Sequence, residues 1–425
     1  MAVTETREIH QANWLERMGS SFKGVVTGLV LIVLSAGLLF WNEGRAVKTA
    51  RSLDEGAGAV VSADKDKVDS ANEGKLVHVM GRADTKDELS DAQFGLSATA
   101  IKLSREVEVF QWVEHKDVRQ EKQGDKVIEK TTYTYKKEWC SKPVDSSAFK
   151  EAGHENPAMV LPFSDQDQYA QTVMLGAYKL SESNVKRIHG TKPFAFPEGY
   201  KPPEALVGAS FVNGVIYVPA ARTTTTTTTT AAASAAGGSP LLAAAQAQAT
   251  AAVTNAVNAA LRDVATAPQV GDLRVKFTMI EPHDISICEK QVGNSFTPWT
   301  ASNGRKISLQ QDGLAEAAAM FEDAQKSNTM LTWILRLVGF FLMFSGFKGI
   351  FGPLATLVDV IPVIRSIVSG GVSFVSFLLA LAGSTITAGI AWIVYRPVVG
   401  IALLVVAGAC VALVIMKKGK AAPAK

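Results

Sequence analysis

The sequence predicts an α+β membrane protein: four transmembrane helices plus a large β-rich α+β extracytoplasmic domain. Three observations predict it. From Met330 to Met416 the only charged residues are Arg336, Lys348, Asp359, Arg365 and Arg396. At about 20 apolar residues per helical crossing, that length allows three spans. Gly24 to Asn42 carries no charge at all and supplies a fourth. Between these apolar blocks, residues 43–328 contain segments of strand period and form the soluble domain.

The totals exclude several classes. Hydrophobic content is 47%, ordinary for a soluble protein, but the apolar residues are gathered into a few runs. A formal charge of +3 is too balanced for nucleic-acid binding. Cys140, Cys288 and Cys410 show neither CxxC spacing nor a nearby histidine pair, which argues against a zinc or disulfide-rich class. Cys140 and Cys288 share the soluble region, where they either pair in a disulfide or sit as two buried thiols. Cys410 packs within the last span.

In chain order, residues 1–21 are polar and mixed in charge. They read as a short surface helix anchored at the interface by Trp14. Residues 22–42 are the first transmembrane helix. The run is too long for a cleaved signal peptide, and Trp41 to Arg45 offers no small-x-small cleavage site. In the soluble domain, Leu76 to Met80 is a short apolar strand. Ile101 to His115 alternates Val107, Val109 and Val113 with Glu106, Glu108 and Glu114, a period-two strand. Phe110 and Trp112 on the glutamate side imply that both faces are partly covered. Val127 to Trp139 is a second strand with Tyr133, Tyr135 and Trp139 on one face, so a long antiparallel hairpin follows.

A Thr/Ala-rich insertion occupies 223–267. Its eight threonines read as an extended linker. Leu241 to Val264 reads as a helix, because alanine is the best helix former and Val253, Val257, Leu261 and Val264 share one face. That stripe either packs on its own domain or serves self-association. Val270 to Ile280 is strand-like. Leu314 to Gln325 is helical and, with no proline intervening, is expected to run into the second span at 329–352. Gly352-Pro353 ends that span. An interfacial connection at 353–367 leads to the third span at 368–395. The fourth, 396–416, is followed by a basic tail at 417–425. Lysines and arginines in the short segments place the N-terminal segment, the 353–367 connection and the tail in the cytoplasm, and the domain on the other side.

Several segments resemble one family. Val107-Glu108-Val109-Phe110-Gln111-Trp112-Val113-Glu114 and Tyr133-Thr134-Tyr135-Lys136-Lys137-Glu138-Trp139 carry its pattern. So do Trp41-Asn42-Glu43-Gly44-Arg45-Ala46, Gly153-His154-Glu155-Asn156-Pro157 and Val270-Gly271-Asp272-Leu273-Arg274-Val275. The pattern continues through Leu357-Val358-Asp359, Pro362-Val363 with Arg365, and Tyr395-Arg396-Pro397. In this order they resemble the LUMA family, the transmembrane protein 43 family of four-span proteins. The resemblance implies a large lumenal or extracytoplasmic domain, self-association, a role in organising membranes and their proteins, and no established catalytic residues. In animals the family is linked to emerin and lamins.

Enzyme signatures are not found: there is no HExxH, Walker loop, GxSxG or paired CxxC. Glu281-Pro282-His283-Asp284 has ligand-type side chains but reads as a solvated loop. No catalytic, cofactor or metal residue is assigned, and no cofactor is expected. Membrane, lipid or subunit contacts are assigned to Trp14, Arg336, Asp359, Arg365 and Arg396. Arg336 lies a turn or two inside its span and is expected to snorkel to the headgroups. Asp359 and Arg365 match the family pattern beside Pro362, and Arg396 is expected to dock to anionic lipid or the domain.

The expected function is a self-associating membrane scaffold without catalysis. Its partners would be the lipid bilayer, further copies of itself and other membrane proteins, with no nucleic acid. The alternatives are an oligomeric channel or transporter, against which the scarcity of intramembrane polar residues argues, and a membrane-anchored hydrolase. The alanine content suggests a GC-rich bacterial genome, hence an inner membrane with a periplasmic domain. A eukaryotic source would give the endoplasmic reticulum or inner nuclear membrane.

Overall fold

The computed structural model describes residues 5–12, 14–123, 126–158, 161–220, 263–357, 362–402 and 405. The helices that build its membrane region are α1 (Trp14–Ala59), α2 (Ala317–Ile350), α3 (Gly352–Leu357) and α4 (Pro362–Tyr395). Among the described residues, three helical stretches are long and apolar enough to cross a membrane: Phe22–Ala59, Ala317–Ile350 and Gly370–Tyr395. These coincide with the first three predicted spans. Of the fourth, the chain breaks its helix at Arg396 and is helical again over 397–402. Most of 396–416, and the basic tail, lie outside the described residues. So do Asp359, Cys410, the threonine run, and Val253, Val257 and Leu261.

Neither α1 nor α2 stops where its apolar sequence stops. The helix expected from Leu314 begins at Ala317 and runs without a break to Ile350. At 1.5 Å per residue, the 34 residues of α2 cover roughly 50 Å, well beyond a hydrocarbon core of about 30 Å. The excess of both helices enters the domain. There Leu53 of α1 and Met320 and Phe321 of α2 pack with Leu76, Cys288 and Ile307 in one apolar cluster.

The domain is built on two sheets. The principal strands are β1 (Glu5–Ala12), β2 (Leu76–Thr85), β3 (Lys102–Gln123), β4 (Lys126–Cys140), β5 (Val173–Leu175), β6 (Ser210–Val212), β7 (Val215–Val218), β8 (Leu273–Ile280), β9 (His283–Val292) and β10 (Leu309–Asp312). The first sheet runs β1-β4-β3-β8-β7-β6. The second centres on β5-β2-β9, with β10 also paired to β9. The predicted hairpin is present, with Phe110 opposite Trp139 and His115 opposite Thr134. Its alternation holds: Val107, Val109, Tyr133 and Tyr135 are buried, while Phe110 and Trp112 are half-buried. Each sheet has its own core, around Leu103, Val107, Val275 and Phe277 in the first, and Val77, Val79, Ile285 and Ile287 in the second. Glu281-Pro282 carries the chain from β8 in one sheet to β9 in the other. His283 there is tied down, Nδ1 to the Glu281 carbonyl at 2.8 Å and Nε2 to Asp312 Oδ1 at 3.2 Å.

One expectation is corrected and two alternatives are decided. Residues 5–12 form a strand antiparallel to β4 rather than part of a surface helix. Trp14 opens α1 directly, so no separate amphipathic segment precedes the span. Cys140 and Cys288 are both free thiols. They stand in different sheets, and Cys288 faces the helix junction, with Sγ 3.7 Å from Met320 Sδ. Burial pushes the Cys288 thiol up to about 12. Val264 is completely buried in a turn, so at this position the chain packs on its own domain, though not as part of a helix.

Candidate functional site: a buried polar tie between three helices

α1 and α2 pack antiparallel along a seam of small and polar residues. The buried residues of α2 include Phe321, Asn328, Thr332, Gly339, Met343 and Gly346. Their steps of seven, four and three are the repeat that keeps one face against a neighbour. Successive contacts run in opposite directions along the two helices. A Cβ on Gly28 would lie 2.5 Å from the Gly346 carbonyl oxygen. Ser35 Oγ donates to the Gly339 carbonyl at 2.6 Å. Asn42 Nδ2 donates to the Thr332 carbonyl at 3.0 Å, and Asn328 Nδ2 to that of Ala46 at 3.0 Å. Beyond the apolar zone, Gln325 Nε2 donates to the Ala50 carbonyl at 3.0 Å. Glycines let the backbones touch within the apolar zone, and amide side chains replace them where the helices leave it.

The charged centre of the seam is Glu43, only 2% exposed. Its carboxylate accepts from Arg336 Nε at 2.6 Å and Nη2 at 2.9 Å, and from Trp392 Nε1 at 2.8 Å. One side chain thereby ties α1, α2 and α4 together. The Arg336 guanidinium also lies 4.8 Å from the Trp333 ring and 5.8 Å from that of Trp392. An unpaired arginine at the centre of a span costs about 2.5–3.5 kcal/mol or more, and the fork geometry of a carboxylate offsets this most directly. Arg336 is therefore held by an internal partner, which corrects the expectation that it snorkels alone.

One turn toward the domain is a second cation. Arg45 donates to neutral acceptors: Asn328 Oδ1 at 3.0 Å, Thr332 Oγ1 at 3.0 Å and Asn42 Oδ1 at 3.2 Å. Tyr395 closes the cluster, its ring against Gly44, where a Cβ would lie 2.5 Å from Cζ. The Tyr395 carbonyl accepts from Arg51 Nη2 at 3.1 Å. The Tyr395-Arg396 turn therefore sits at the domain end of the bundle. Arg365 lies in the first turn of α4, away from this cluster in the chain.

Several of the segments that carry the family resemblance meet at two places. Asn42, Glu43, Gly44 and Arg45 meet Tyr395 in the tie. In the domain, the His154 ring stacks on Tyr135 at 4.2 Å and meets Trp112 edge-on at 4.6 Å. Asn156 pins the loop to β3, accepting from the Trp112 amide at 2.8 Å and donating to its carbonyl at 3.0 Å. Tyr135 Oη donates to Glu114 at 2.7 Å; burial and that carboxylate push its phenol up to about 12. On the other face, Arg274 forks onto Glu108, stacks 4.8 Å from the Trp139 ring, and shares Glu108 with Lys276. Hydrogen bonds from Arg274, then from Lys276, hold the Glu108 carboxyl below the usual carboxylate range. Among the described residues, no three His, Cys, Asp or Glu side chains are grouped to hold a metal ion.

The comparisons with known proteins agree with these motifs. The family model described as Transmembrane protein 43 matches residues 109–397. Human Transmembrane protein 43 is 30% identical over 413 residues, covering 93% of this chain and 92% of the human one. This chain belongs to the transmembrane protein 43 family. The rat member is 31% identical over 399 residues, 91% of this chain and 88% of its own. The fruit-fly homolog is 28% identical over 414 residues, 94% and 95% respectively. No solved structure matches. In this family member, Glu43 and Trp392 are the tie residues that sequence reasoning did not select as a site. The available signal was a lone carboxylate at the end of one uncharged span and a lone arginine inside another.

Proposed function

We propose that this family member is a non-catalytic, self-associating membrane scaffold that transmits lateral contacts between domains to the bilayer. The observation that supports it is the tie. α1 and α2 pass from span to domain without a hinge, and the Glu43–Arg336–Trp392 cluster fixes both to α4 at the boundary. A domain held this way cannot swivel freely on its anchor, so neighbours that touch through their domains also set the tilt of their spans. The placement of the domain on the extracytoplasmic side belongs to this reading and follows from the charge of the short segments. The test is the mass of particles excised from native membranes in lipid nanodiscs without detergent. A single, defined multimeric mass supports the scaffold. A monomer mass overturns it.

A further inference from the structure

The junction between spans and domain holds a groove of about 320 Å³ that the tie does not use. Arg45, Thr49, Ser52 and Leu53 of α1 form one wall, and Ala324, Ser327, Asn328 and Leu331 of α2 another. The segment 305–309 forms the third. Its size is within the range of about 300–1,000 Å³ typical of small-molecule sites.

Its charge is one-sided. Arg45, Arg305 and Lys306 line it, and no aspartate or glutamate does. Arg45 has only neutral hydrogen-bond partners, and it lines the groove together with Arg305. The nearest acid on α1, Glu43, is already held by Arg336 and Trp392. Among the described residues, neither Arg305 nor Lys306 has an ion-pair partner, and both side chains are exposed. Three cations lining one groove with no acid among its lining residues give it a positive potential that attracts an anion. Ser327 is exposed in the same wall and adds a hydroxyl donor.

Position selects the anion. Leu331 bounds the groove, is 43% exposed, and belongs to the first apolar turn of the second span. An occupant with its phosphate among Arg45, Arg305 and Lys306 would have its apolar part laid along Leu331 into hydrocarbon. We propose that this groove binds the phosphate headgroup of an anionic phospholipid from the leaflet on the domain side. The site is independent of the scaffold reading, because it needs only one subunit.

The test uses the purified full chain in detergent, with phosphatidylglycerol and phosphatidylcholine as probes and native mass spectrometry as readout. The variants are R305E/K306E and, as a control of equal charge change on exposed residues elsewhere, K179E/K201E. The wild type and the control retain phosphatidylglycerol under activation that strips phosphatidylcholine. R305E/K306E loses that retention on the order of tenfold, since each basic residue near a membrane surface contributes severalfold. Equal retention by R305E/K306E overturns the proposal, as does equal loss in the control. Complete displacement of the lipid by inorganic phosphate assigns the groove to a soluble anion and overturns the lipid source.

Discussion

Glu43→Gln tests the tie most directly. The substitution keeps the side-chain shape and leaves Trp392 an acceptor, but it strands the Arg336 charge. Breaking a buried ion pair by removing one partner costs about 3–5 kcal/mol. Glu43 is 2% exposed but Arg336 is 24% exposed, so part of the stranded charge is solvated and the expected loss falls to about 2–3 kcal/mol. Arg336→Gln alone leaves Glu43 buried with only Trp392 as donor and is expected to cost at least as much. The double substitution removes both charges and should cost less than the sum, by about 1–3 kcal/mol. The assay is denaturant unfolding in mixed micelles, followed by the fluorescence of Trp333 and Trp392, which flank the guanidinium. Single substitutions that cost less than about 0.5 kcal/mol and add without coupling would refute the claim that this pair holds three helices together.

Three further outcomes are expected. The Glu108 carboxyl is depressed when folded, so its contribution is present above the ordinary glutamate value of about 4.3 and is lost as pH falls through the folded value. Unfolding midpoints of E108Q should accordingly drop less between neutral and acid pH than those of the wild type. Gly28→Ala should cost about 1–3 kcal/mol by forcing α1 from α2, read as lowered thermal stability in detergent. In a Cys410→Ser background, alkylation of native protein should modify half-buried Cys140 and spare Cys288 until unfolding, and reductant should leave its gel mobility unchanged.

The spans and the hairpin were legible because each repeats a single signal. Charge-free length marks a crossing, and strict alternation from Val107 to Val113 marks a strand with one face in a core. The tie was not legible from periodicity, because its partners are 293 residues apart in the chain and each is a lone polar residue in an apolar setting. Arg336 was visible as a costly charge, yet which carboxylate answered it needed the antiparallel register of α1 and α2. Position Val264 shows the limit of spacing: it was grouped with Val253, Val257 and Leu261 on a helix face, and it is buried as the packing alternative has it, but the chain turns there instead of continuing a helix. The shared soluble region of Cys140 and Cys288 likewise said nothing about sheet membership, which keeps them apart.

The α1–α2 seam also limits how subunits can meet. Gly24-x-x-x-Gly28 is a spacing that brings membrane helices together, and in a chain of unknown structure it would be assigned to self-association. Here it is consumed within the subunit, because Gly28 faces Gly346 and a Cβ on Gly349 would lie 2.8 Å from the Gly24 carbonyl oxygen. The outward face of α1 is mostly bulky, with Phe22 61%, Val26 65% and Val33 71% exposed; Gly37 there has open space beside it rather than a close-packed helix, and the face is suited to lipid. Contacts between copies therefore fall to the domains or to the outer faces of the bundle, and stability and assembly become separable. Gly28→Ala and Glu43→Gln should weaken the fold of each subunit while leaving the mass of the particles that survive unchanged. A seam substitution that instead altered particle mass at unchanged stability would place this seam between subunits and remove the antiparallel pairing from which the tie is built.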